Sequence, residues 1–302
     1  MKRLLAWLLI CLLLLGSTGC ACSKKGSETV PLLWKVTDAE GHTLYLFGTI
    51  HVGDERSDAA LARVTKVLDQ CDALAVEFDV VAFQQDADAA MQMMTQYVLT
   101  DGTTVDAHMP EDLYSRVYAL LQEAGLMPDM MKNYNLAMWA QLAEQAAILQ
   151  RSDLSPDKAM DVMLMLYAYE KQIPVLEVES AEFQMNLLNS FDDETYLRQI
   201  KATMDSLDQY GAAVELLYSL WLSGDRDTFW MAIGAEPALE GADAYNKALI
   251  DDRNRTMAEK AKEYLLSGRT VFFAVGAAHM ANATGIVQLL RDAGYTIEEF
   301  SY

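Results

Sequence analysis

Two stretches near opposite ends of the chain, "TLYLFGTIH" (43–51) and "TVFFAVGAAH" (270–279), constrain the fold more than any other feature of the sequence. Each is a short apolar run that breaks into Gly-x-x-His and leads to a helix start a few residues later. Such runs, bounded by glycine and too short for a helix, read as buried strands. A third run, "ALAVEFDV" (73–80), follows a helical pattern with apolar residues at Leu61, Val64, Val67 and Leu68. Strand, helix and strand in that order make a βαβ unit with its strands parallel. "IPVLEV" (173–178) and "YTIEEF" (295–300) add further strands, and Leu32 to Val36 pairs with Thr43 to Phe47 across the turn "TDAEG". Glycine at strand exits is common, so the echo between the two Gly-x-x-His runs is either chance or the mark of two related βαβ halves whose strand ends meet.

Between them the spacing is helical. Residues 81–266 show apolar positions three and four apart, interrupted only by the strand near 173–178, and Leu136, Trp139, Leu142, Ala146 and Leu149 form the clearest stripe. A stripe of that kind is core. The expected fold is α/β: a mixed or parallel sheet built from two βαβ-like halves at the N- and C-terminal ends, with a large helical insertion or cap between them. No linker divides residues 31–302.

The N-terminus departs from the globular pattern. Lys2 and Arg3 precede the apolar run Leu4 to Leu15, and small residues lead to Cys20. This is a secretory leader over residues 1–19, too short to span a bilayer, which takes about 20 apolar residues. The residues before Cys20 resemble a bacterial lipobox, which makes Cys20 the expected lipidation site and residues 20–30 a polar tether. Ser17 stands where an aliphatic residue is usual, so Cys22 is the weaker alternative. The expected location is the outer face of the bacterial cell membrane, held there by lipid. Only Cys71 then remains in the folded part, so no disulfide framework supports the fold.

The formal charge is −21, and loss of residues 1–19 removes two bases and no acid, giving −23. No basic patch is present, which excludes nucleic acid as a partner. A divalent cation fits the sign, and so does a solvated acidic surface.

His51 and His279 fall at the C-terminal ends of expected parallel strands, where ligands bind in open α/β sheets. Gly48 and Gly276 let the backbone turn sharply or approach a ligand closely there. Glu77 and Glu177 are charges inside apolar runs, costly unless paired, hydrogen-bonded or metal-bound. Two histidines with one or two glutamates make a mixed N/O set suited to Mn, Co, Zn or another first-row divalent ion. Each residue has a plainer reading. A strand-end histidine can cap a helix, and Glu77 can sit on a wetted edge. Asp161 can be a first-turn acid. Arg253 and Asn254 can lie on a helix of internal ion pairs, or Arg253 can anchor a site carboxylate or a substrate carboxylate. His42 and His108 read as loop residues. No phosphate-binding loop or nucleophile elbow is present.

In order, "LYLFGTIHVGD", "ALAVEFD", "IPVLEVESAEFQ", "LIDDRNRTMAEKAKEYL" and "FFAVGAAHMANATGIVQLLRDAGYTIEEF" resemble the TraB/GumN family, which includes the Tiki membrane metalloproteases. The resemblance runs from Leu32 to Phe300. It implies a metal-dependent protease with His51, His279 and Glu77 on the ion and Glu177 as base or further ligand. Arg253 and Asn254 match the family's "RN" block. Asn282 replaces a glycine often found three residues after the second histidine, a substitution that asparagine's tolerance of left-handed backbone accommodates. Similarity to TraB associates the fold with silencing an extracellular peptide signal. The expected activity is a metal-dependent hydrolase of a peptide or protein. The alternatives are a lipoprotein that binds a peptide without cleaving it, and a metal-independent, esterase-like hydrolase using His51 as general base.

Overall fold

Strands β1 (Leu33–Thr37) and β2 (Thr43–Thr49) form the expected hairpin, and the Asp38 carboxylate closes its turn by accepting the amides of Glu40 and His42. The computed structural model describes residues 32–234 and 242–300. The expected leader, the tether and lipidation at Cys20 or Cys22 lie outside the described residues. No helix among the described residues is long and apolar enough to cross a membrane.

β2 continues in parallel with β5 (Val271–Gly276), β5 with β3 (Ala73–Val76), and β3 with β4 (Val175–Glu177). On the other side, β6 (Thr296–Glu299) runs antiparallel to β1, giving a mixed sheet in the order β4-β3-β5-β2-β1-β6. The α/β class holds. The strands of the two ends, however, interleave in one sheet instead of forming separate halves. α1 (Arg56–Leu68) links β2 to β3, and these are parallel, but β5 lies between them. Burial explains the placement. Every residue of β5 is buried, so "VFFAV" takes a central slot covered on both faces, whereas the half-polar β4 and β6 occupy the edges.

The middle of the chain is helical as expected. α2 (Leu136–Arg151) buries Leu136, Trp139, Leu142 and Ala146, with Leu149 half-buried. α3 (Met160–Lys171), α4 (Ala181–Leu188), α5 (Leu207–Ser223), α6 (Arg226–Gly234) and α7 (Asp252–Leu266) surround the sheet. The strand "ALAVEFDV" is shorter than its apolar run. It stops at Val76 because Asp79 caps the next helix, its carboxylate accepting the amide of Ala82 at 2.9 Å. The helical stretch after it is divided at Asp86, which caps a second segment through the amide of Ala89.

Candidate active site

Four neighbouring parallel strands point the same way, so their exits share one edge of the sheet. His51 leaves β2, Glu77 leaves β3, Glu179 follows β4, and His279 sits in the single turn Ala277–Met280 after β5. Neither Gly48 nor Gly276 has left-handed backbone. Both are needed for space. A Cβ on Gly48 would lie 3.0 Å from the Ala277 Cα, while the Trp221 indole of α5 donates to the Gly48 carbonyl at 2.8 Å. A Cβ on Gly276 would lie 3.2 Å from Glu77 Oε1, 3.3 Å from His51 Nε2 and 3.7 Å from His279 Cδ2. Gly276 therefore opens the space that the two histidines and Glu77 face.

Both imidazoles are fixed through Nδ1. Asn254 of α7 donates its amide nitrogen to the Thr284 carbonyl at 3.0 Å, so its Oδ1 accepts from His279 Nδ1 at 2.7 Å. That assigns the tautomer: Nδ1 carries the hydrogen and Nε2 presents a lone pair. Burial, reinforced by the Arg253 charge, pulls the His279 pKa down to about 3, so the ring is neutral. His51 Nδ1 meets Asp161 Oδ2 at 3.1 Å. Burial alone would lower its pKa, but the Asp161 charge and hydrogen bond, with the Glu77 charge, lift it to about 9. Asp161 is placed by the start of α3, whose Met160 amide donates to the Ile50 carbonyl at 2.9 Å. It is a first-turn acid, and it also orients His51.

Glu77 sits at the centre of the cluster. Its Oε1 accepts the Gly276 amide at 2.8 Å, and its Oε2 accepts Arg253 Nη2 at 2.5 Å and Gln184 Nε2 at 2.9 Å. Burial would favour the neutral acid, but the Arg253 guanidinium, followed by the two imidazoles, holds its pKa well below the carboxylate range. Arg253 is 5% exposed and is shared with a second carboxylate. Its Nε and Nη2 reach Glu179 Oε1 and Oε2 at 2.9 and 2.7 Å, and Gln184 also donates to Glu179 at 2.8 Å. The guanidinium thus anchors site carboxylates, while the plainer intrahelical pair also exists, between Arg255 and Asp252.

The structure does not bring Glu177 to this cluster. Glu177 is the last residue of the edge strand β4, opposite Val76, and its Oε1 accepts the Asp79 amide at 2.8 Å. Its place is taken by Glu179, which sequence reasoning missed together with Gln184. Alternation along a strand puts residues 177 and 179 on one face. The strand ends at Glu177, and the turn into the Ser180 cap of α4 separates them. His42 pairs with Asp38, and His108 with Asp101 and Thr103, both away from the cluster. Cys71 bonds the Val67 carbonyl, and burial pushes its thiol up to about 12, leaving it inert. Asn282 adopts φ 66°, the left-handed conformation expected of it.

Among the described residues, no group of three or more His, Cys, Asp or Glu side chains is placed so that it could hold a metal ion. The donor chemistry nevertheless fits a divalent ion. The His279 Nε2 lone pair faces Glu77 Oε1 at 3.9 Å, two acceptors with no donor between them, and His51 Nε2 borders the same space. Neighbouring ligands of a tetrahedral ion bound at about 2.1 Å are about 3.4 Å apart, so the gap is wider by about half an ångström.

The model of the TraB/PrgY/gumN family matches residues 32–299. Two curated proteins are similar over 247 residues at 26% identity: the uncharacterized protein YbaP of Escherichia coli (strain K12) and that of Shigella flexneri. Each match covers 82% of this chain and 87% of the relative. No solved structure matches.

Proposed function

The chain belongs to the TraB/PrgY/gumN family, and from that premise we propose that it is a metal-dependent hydrolase of peptide bonds. It would act on an extracytoplasmic peptide or protein while anchored by lipid at Cys20. One observation carries the reading: the His279 Nε2 lone pair and Glu77 Oε1 face each other across the space left by Gly276, with His51 Nε2 beside them. A centre built of acceptors calls for a positive charge.

His51, His279 and Glu77 are the residues that would hold a divalent ion, which would supply Lewis acidity for the scissile carbonyl and a lowered pKa for water. Asp161 and Asn254 keep the two Nε2 atoms aimed inward. Arg253 keeps Glu77 ionised and its carboxylate in place. Glu77 already accepts three donors, so it is not the base. Glu177, expected in that role, is bonded elsewhere. Asp161 Oδ1 is buried and has no hydrogen-bond partner among the described residues, which makes it the available acceptor for the proton of an attacking water.

The test is metal content and peptide turnover of the purified protein beside His51→Ala and His279→Ala. The wild type is expected to hold one divalent ion that both variants lose, and to lose turnover in chelator and regain it with Mn, Co or Zn. If the wild type binds no divalent ion more tightly than the variants, the mechanism is refuted. A second reading rests on the His51–Asp161 pair, which resembles the base and orienting acid of a metal-independent hydrolase. Turnover that persists in chelator favours it. Ligand binding with no turnover favours a non-catalytic peptide-binding protein.

A further inference from the structure

One cavity opens beside the site and has no part in the hydrogen bonds just described. Thr49, His51 and Gly276 line its inner end, and Ile148 of α2, Val214 of α5 and Phe229 of α6 help form its walls. Its volume is about 70 Å³, room for several water-sized groups and so for an aliphatic side chain.

The walls are fixed. Val214 and Leu217 of α5 are 1% and 7% exposed, and α5 is tied to the sheet by the Trp221 bond to the Gly48 carbonyl and to α1 by the Tyr218–Ser57 bond at 2.8 Å. Its lining is largely apolar, the Glu144 carboxylate on α2 being bonded to the Tyr210 hydroxyl at 3.2 Å, and such a void in a close-packed interior forfeits contacts that a ligand would restore. The cavity is also continuous in its lining with the acidic centre: Thr49 and His51 border both this space and the one that holds Glu77 and Asp161. At that junction the Thr49 hydroxyl, 2% exposed, has no hydrogen-bond partner among the described residues. A buried polar group in that state calls for a partner, and a peptide backbone passing from the acidic centre into the cavity would supply one.

From this we infer that the cavity is the specificity pocket of the site, taking a branched aliphatic side chain of the size of leucine from a peptide laid across the acidic centre. Thr49 would bond that peptide's backbone. The inference rests on the hydrolase reading for its cleavage arm only, because the pocket can be probed by binding alone.

The probes are the N-acetyl methylamides of leucine, alanine and phenylalanine, titrated into the purified protein by NMR, alongside two quenched peptides that differ by the same Leu-for-Ala exchange. Leucine buries about three more carbons than alanine, which predicts a preference of up to roughly 60-fold. Val214→Trp fills the space and is expected to bring that preference toward parity. Leu217→Ala enlarges the space and is expected to move the preference toward phenylalanine. Thermal unfolding confirms that each variant is folded, and if Val214→Trp is not, Leu217→Ala decides. A wild type that does not discriminate leucine from alanine overturns the inference, as does a folded Val214→Trp that discriminates as before. If leucine is preferred in binding and neither peptide is cleaved, the pocket stands and the hydrolase reading falls. If both peptides are cleaved without preference, the reverse holds.

Discussion

Replacing Arg253 with methionine is expected to destabilise the protein by about 3–5 kcal/mol, the usual cost of removing one partner from a buried ion pair. The variant loses the cation that two carboxylates share, since Glu77 and Glu179 are 16% and 3% exposed and both bond Arg253. Only Gln184 and the Gly276 amide remain as donors to four carboxylate oxygens. The cluster of these three side chains passes from one net negative charge to two in a buried setting. At a urea slope of about 2–3 kcal/mol per M, the midpoint should fall by roughly 1–2.5 M with the slope unchanged. The pH dependence gives a sharper check. In the wild type Glu77 is lowered from its ordinary 4.5, so its contribution is present above that value and persists until strong acid. In the variant Glu77 and Glu179 lose the guanidinium they share and only the imidazoles still favour the ionised form, so the Glu77 pKa moves up toward the unfolded value. The deficit is then full above 4.5 and shrinks as pH falls below it. Arg253→Lys keeps the charge without the fork and should fall between the two. An Arg253→Met protein within about 1 kcal/mol of wild type at pH 7, or a deficit that does not shrink as pH falls below 4.5, would refute the reasoning.

Asn254→Leu leaves the His279 Nδ1–H and the Thr284 carbonyl unpaired, for about 2–4 kcal/mol in thermal unfolding and a 10- to 100-fold loss of divalent-ion affinity by calorimetry; Asn254→Asp should keep most of the ion affinity. Gly276→Ala places a methyl group among Glu77, His51 and His279, so stability should fall by about 1–3 kcal/mol while ion binding falls; unchanged ion affinity contradicts the idea that this space is the site. In chelator, His51 titrates with a folded pKa of about 9 against 6.5 unfolded. Its contribution is therefore complete below 6.5 and lost as pH rises through 9. Denaturation at stepped pH should show that loss in the wild type and a flatter profile in His51→Gln.

Where the sequence was legible, the physics was local. The runs around Leu44–Phe47 and Phe272–Val275 had nowhere to go but a buried strand, and the Gly-x-x-His ends followed from strand direction alone. The hairpin turn and the stripe on α2 were equally local. Three features were not legible, and each depends on tertiary placement. That β5 comes between β2 and β3 is decided by which run most needs cover on both faces. The exchange of Glu177 for Glu179 depends on where β4 stops, a matter of one or two residues. Gln184, a helix residue with no periodic signature of function, becomes a shared donor only once α4 docks over Glu77. Asp161 shows the same limit in reverse: its first-turn position was readable, its contact with His51 was not.

The interleaving of the two chain ends has a consequence in time. β2 can make only its local hairpin with β1 until β5, more than two hundred residues later in the chain, has been made and has paired with it. The long loop that this pairing closes belongs to the slow, non-local class of contacts. His51 consequently has no His279 beside it, and no Gly276 space to face, until nearly the last strand is in place. A nascent or truncated chain holds half of each pair and none of the centre. Whatever chemistry the centre performs is withheld by topology until β5 has been made and has paired with β2.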